Sequence, residues 1–140
     1  MGTVEAAGRL VSSKPLRLVA LVVAAGLACG RGVEGALRTS ALAAAGGHVS
    51  GAAASRLFRR ERPSASEQDD SFSFPSTHAA SAFAVAAALG RRAPQLRARL
   101  LVGAAVVAAS RLVLGEHCAT DVVAGAPLGI AVGELVGRQQ

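Results

Sequence analysis

Five apolar runs, made chiefly of alanine, valine, leucine and glycine, divide this 140-residue chain, and short basic or polar turns separate them. They cover Leu18–Gly30, Ala36–Ala54, Phe74–Leu89, Leu100–Leu114 and Asp121–Val136. Each reads as a helix. The second is the weakest, because Gly46-Gly47, His48 and Ser50 interrupt it. In the last, Pro127 predicts a kink, and Gly125 and Gly129 predict close approach of a neighbour. Taken alone, each run is shorter than the ~20 residues of a membrane-spanning helix and fits a buried core helix. With its flanks, several reach roughly membrane length. Periodicity does not separate the two readings, since alanine-rich helices are apolar nearly all round. Composition favours the membrane. Only 17% of residues are charged, against about 25% in an ordinary soluble domain. The expectation is an all-α transmembrane bundle of about five helices. A loose polar stretch (residues 1–15) precedes a single domain over residues 16–138.

Lys14 is the only lysine; every other basic residue is arginine, and the net charge is +6. Arginine offers a planar fork that matches phosphate oxygens and stays charged at any ordinary pH. Nucleic-acid binding is excluded as the main reading. The arginines flank apolar runs, and with four Phe, no Trp and no Tyr the stacking residues are missing. Cys29 and Cys118 have no metal-ligand spacing. The first run follows Arg9, Lys14 and Arg17 and resembles a signal peptide, with a lipoprotein-like Ala28-Cys29-Gly30. The competing reading keeps it as a helix of the bundle.

Three segments carry chemistry. In Ser110-Arg111-Leu112-Val113-Leu114-Gly115-Glu116-His117-Cys118-Ala119-Thr120-Asp121, the His and Asp stand four apart. A helix starting near Thr120 puts Asp121 in its first turn, within reach of one ring nitrogen of His117. That contact fixes the tautomer and leaves the other nitrogen as a nucleophile. Arg111 ends the preceding helix and is placed to point at the same spot. The plainer reading is a helix hairpin with polar residues at its mouth. In Phe74-Pro75-Ser76-Thr77-His78, Pro75 and Ser76 are helix-start residues. The amides of the first turn there form an anion site. In Arg56-Leu57-Phe58-Arg59-Arg60-Glu61-Arg62-Pro63, clustered arginines suit either phosphate oxygens or a solvated, membrane-flanking patch.

In this order the three segments resemble the signature of the type 2 phosphatidic acid phosphatase family. That signature is Lys-x6-Arg-Pro, then Pro-Ser-Gly-His, then Ser-Arg-x5-His-x3-Asp. The third element is matched at Ser110, Arg111, His117 and Asp121. In the second, Thr77 replaces Gly; in the first, Arg62-Pro63 is kept but Ser55 stands in place of lysine. The resemblance covers residues 55–125. It implies a metal-independent phosphohydrolase, without cofactor, that acts on a membrane lipid or polyprenyl phosphate or diphosphate through a phosphohistidine. His117 is then the nucleophile, Asp121 orients it, and His78 is acid and base in turn. Arg62, Arg111, Ser76 and Thr77 hold the phosphate, with Arg56 or Arg59 in place of the missing lysine.

The resemblance places the site near one face of a bacterial plasma membrane. Its candidate substrates are phosphatidic acid, phosphatidylglycerol phosphate, undecaprenyl diphosphate and other polyprenyl phosphates. The short Arg-Arg-x-Arg-Pro form is similar to bacterial members assigned to decaprenyl-phosphoryl-phosphoribose dephosphorylation in cell-wall synthesis. Charge gives two conflicting topologies. The Arg91–Arg99 turn in the cytoplasm puts the motifs outside; Arg9, Lys14 and Arg17 there put them inside. The alternatives are a weak or inactive member that binds lipid phosphate, a vanadium-dependent haloperoxidase, and a membrane assembly protein.

Overall fold

The computed structural model describes residues 33–61 and 72–139, which form four α-helices and one short 3-10 turn. These are α1 (Val33–Phe58), α2 (Thr77–Arg92), the turn Pro94–Leu96, α3 (Arg97–Val113) and α4 (Ala119–Arg138). No strand occurs among the described residues. The predicted helix over Leu18–Gly30, Arg62 with Pro63, and most of the acidic loop lie outside them, so the described bundle has four helices where about five were expected.

α2 is the axis of the molecule. It packs against α1, α3 and α4, while α3 and α4 scarcely meet. A helix enclosed on three sides has room only for small side chains, which explains its alanines. Ala79, Ala80, Ala82, Ala84, Ala86, Ala87 and Ala88 are all buried, together with Val85 and Leu89. The neighbours answer with glycine. On α4, Gly125, Gly129 and Gly133 recur every fourth residue and lie against α2, so a Cβ at Gly129 or Gly133 would collide with the carbonyl of Ala80 or Ala84. On α1, a Cβ at Gly47 would sit 2.7 Å from the same Ala80 oxygen. Backbones in such contact gain dispersion energy from many short-range pairs. Gly47 and Gly51 are therefore seats for α2, Gly46 adjoins Val132 of α4, and α1 passes through Gly46-Gly47 and His48 unbroken. α4 likewise runs on through Pro127 as one helix.

Neighbouring pairs fix the directions. Gly35 adjoins Arg92 and Gly51 adjoins Thr77, so α1 is antiparallel to α2. Gly125 adjoins Ser76 and Gly137 adjoins Arg91, so α4 is parallel to α2. The C-termini of α1 and α3 thus meet the N-termini of α2 and α4 at one end. The opposite end is tied by Glu134, which accepts from Arg91 at 2.9 Å and from Arg97 at 2.7 Å. There Arg92 also donates to the Thr39 hydroxyl at 3.1 Å.

Outside, the pattern is inverted. Leu42 and Val49 on α1, Val102 and Val106 on α3, and Val123 and Leu135 on α4 all face outward. α4 is long and apolar enough to cross a membrane by length and composition.

Candidate active site

The three sequence segments converge at the end where α2 and α4 begin. Two caps build it. Ser76 caps α2, its side chain accepting from the Ala79 N–H at 3.3 Å. Cys118 caps α4, and Asp121 at the third helical position returns its Oδ2 to the Cys118 N–H at 2.8 Å. The Ser76 N–H donates to the Asp121 carbonyl at 2.9 Å, which locks the two helix starts together. Ser76 is fully buried, and its amide is committed to α4. The expected phosphate-binding amide there narrows to Thr77, the first helical residue, whose N–H has no acceptor within its own helix.

His117 immediately precedes that second cap and is 4% exposed. Its Nδ1 lies 2.9 Å from the Ser73 carbonyl oxygen and 3.6 Å from Asp121 Oδ2. A carbonyl oxygen only accepts, so Nδ1 carries a proton, and in the neutral ring Nε2 then keeps its lone pair. The sequence reading placed this hydrogen bond on Asp121. In the structure the Ser73 carbonyl makes the shorter contact with Nδ1, and Asp121 Oδ2 stays beside the ring while it accepts from the Cys118 amide and Oδ1 accepts from Arg60 at 3.1 Å. Ser73 is itself held, its N–H donating to the Arg60 carbonyl at 2.7 Å and its hydroxyl to the Glu61 carbonyl at 3.0 Å. The His78 ring, in the first turn of α2, stands with its centroid 6.4 Å from that of His117. Phe74 before it stacks edge-on against Phe58 at 5.1 Å, which ties the second segment to the end of α1.

Arg111, in the last turn of α3, is buried and ion-paired with Glu116. The Glu116 N–H returns to the Arg111 carbonyl at 3.1 Å. Of the first segment, Arg56 and Arg59 are exposed, and the Arg59 Nε is directed at the Arg56 carbonyl of its own helix. Ser55, where the lysine was expected, is buried and bonds back to the Ala52 carbonyl at 2.9 Å. Among the described residues of this segment, Arg60 reaches inward, to Thr120 and Asp121, and the sequence reading did not single it out. Arg59 ends α1 with a left-handed φ of 46°, and the turn that follows carries Arg60 to α4. The only advance signal was its membership of the cluster.

One end of the helical bundle thus gathers a pair of histidines, a buried carboxylate and a buried arginine. Residues 18–140 match the PAP2 superfamily, and the chain belongs to that family. It is similar to the decaprenylphosphoryl-5-phosphoribose phosphatase of Mycobacterium tuberculosis, in both strain CDC 1551 / Oshkosh and strain H37Rv. The identity is 38% over 96 residues, covering 61% of this chain and 53% of each relative. The chain thus spans about half the length of the curated relatives it matches. No solved structure matches it.

Proposed function

We propose that this protein is an integral membrane phosphatase that removes phosphate from a lipid, by preference a polyprenyl-linked phosphate, through a phosphohistidine. The observation that carries this reading is the Nδ1 contact of His117 with the Ser73 carbonyl, which leaves Nε2 as a nucleophile. In the first step Nε2 attacks phosphorus, the bond to the leaving oxygen breaks, and His78 protonates that oxygen. In the second, His78 takes a proton from water, the water oxygen bonds to phosphorus, and the P–N bond breaks. Splitting one displacement into two lowers each barrier. The negative charge spread over the transferring group is met by Arg62, by the Arg111 fork, and by the start of α2 near Thr77. Asp121 backs His117 with a fixed negative charge.

The membrane assignment is supported by the apolar outer faces and by α4, whose 20 residues span about 30 Å, the thickness of a bilayer core. The polyprenyl preference draws on the mycobacterial relatives, which share the matched region.

The test is phosphate release from a panel of lipid phosphates by detergent-purified protein, with EDTA present, beside His117→Ala. Release that survives EDTA and vanishes in the variant is the expected result. Wild-type turnover by His117→Ala would sink the mechanism. Silence of the wild type on every lipid would favour a lipid-phosphate binder.

A further inference from the structure

Arg60 holds both of the groups that face His117 Nδ1, the Ser73 carbonyl and the Asp121 carboxylate. Its side chain donates through Nη1 to Asp121 Oδ1 at 3.1 Å and to Thr120 Oγ1 at 2.7 Å. Its carbonyl accepts the Ser73 N–H at 2.7 Å, and Ser73 in turn supplies the oxygen that holds His117 Nδ1. Asp121 is fully buried while the Arg60 side chain is 45% exposed. A buried carboxylate needs a partner to stay charged where it is. The Arg60 guanidinium and the Cys118 amide divide its two oxygens between them.

We infer that Arg60 is a positioning residue for His117: its side chain anchors Asp121 and its backbone anchors Ser73, so that Nδ1 stays directed at the Ser73 carbonyl. With Arg60 in place, Asp121 Oδ1 is held by the guanidinium and Oδ2 stays 3.6 Å from the ring nitrogen. Without it, Oδ1 loses its charged partner. The carboxylate is then drawn to His117 Nδ1, which already stands 3.6 Å from Oδ2. The ring leaves the Ser73 carbonyl, and Nε2 shifts from its aim. The departure of Ser55 from a lysine acquires a meaning as well. One cation of this segment, Arg60, sits five residues later, on the carboxylate behind the nucleophile. The inference rests on the phosphatase reading for its kinetic consequence, but not for its geometric one.

The experiment uses the full chain in detergent, with Arg60→Met and Arg60→Lys. The kinetic arm measures kcat and KM on whichever lipid phosphate the wild type hydrolyses. A displacement of the order of 1 Å at a reacting atom costs ~100-fold. The expectation is a kcat loss of about that size in Arg60→Met with KM moved by less than about threefold, and an intermediate loss in Arg60→Lys, which keeps the charge without the fork. The spectroscopic arm follows the ¹⁵N ring signals of the three histidines. The wild type shows His117 as one tautomer, protonated at Nδ1, and Arg60→Met shows its two ring nitrogens moving together towards an averaged position. A KM rise alone would make Arg60 a substrate ligand and overturn the inference. So would His117 signals that do not change. If the wild type hydrolyses nothing, the phosphatase reading fails by itself and the ring signals still decide the role of Arg60. If Arg60→Met does not fold, Arg60→Lys is read by the same criteria.

Discussion

The ring of His117 is oriented by the backbone of Ser73, through a 2.9 Å contact between residues 44 apart in the chain. A backbone acceptor cannot be removed by a side-chain substitution, but its support can. Ser73→Ala deletes the hydroxyl bond to the Glu61 carbonyl, at a cost of about 1 kcal/mol. The expected outcome is a small fall in melting temperature and a lower kcat at unchanged KM. An unchanged kcat would show that the Ser73 N–H bond to Arg60 is support enough.

Glu116 occupies the guanidinium that the proposed mechanism gives to phosphate. Arg111 carries five N–H donors, enough to keep Glu116 and accept an anion as well. In Glu116→Gln the buried cation loses its countercharge, and the protein without phosphate should be destabilised by about 1–3 kcal/mol. Inorganic phosphate or vanadate should restore more stability in this variant than in the wild type. Equal thermal shifts in both proteins would count against Arg111 as an anion ligand.

Two glycines make a matched test of the bundle. A Cβ at Gly129 would strike the Ala80 carbonyl, whereas one at Gly103 meets nothing within 4 Å. Gly129→Ala should cost about 1–3 kcal/mol through overpacking. Gly103→Ala should stabilise by about 1 kcal/mol through helix propensity. Thermal denaturation in detergent reads both, and the prediction fails if the two variants shift the same way.

The outward-facing valines test the membrane assignment. Val106 is 58% exposed near the middle of α3. In water, Val106→Lys would change stability by no more than about 0.5 kcal/mol. In a bilayer it should cost about 2.5–3.5 kcal/mol. Carbonate-resistant membrane content after expression separates the two, and full retention of the variant in the membrane would contradict a lipid-facing Val106.

Much of the helical framework was legible because breakers and caps are local. Pro75 and Ser76 announced the start of α2, and the Arg91–Arg99 turn separated α2 from α3. Gly125 announced close approach because a missing side chain has one obvious use in an apolar helix. Asp121 in the first turn of α4 followed from a four-residue spacing. The partners of these groups were not legible. Nothing in the segment before Phe74 marks the Ser73 carbonyl as an acceptor, since every residue has one. The role of Arg60 depends on the left-handed turn at Arg59, a conformation that arginine rarely adopts and that no sequence cue advertises. Gly46-Gly47 looked like an interruption because close helix contact, with the backbone of α2 at Gly47 and with Val132 at Gly46, removes the very apolar side chains by which runs are recognised.

A centre made of alanine and glycine has an unusual relation to change. In most interiors the common injury is the loss of a methylene and the opening of a hole. Along α2 there is almost nothing to lose: Ala80 meets Gly47 on one side and Gly129 on the other. A larger side chain at Ala80 adds volume between these two glycines and pushes α1 or α4 outward. Because Ser76 and Asp121 join these same helices at the catalytic end, that displacement is delivered to the histidines. The spacing of the two helix starts is therefore carried by residues that have no chemistry of their own.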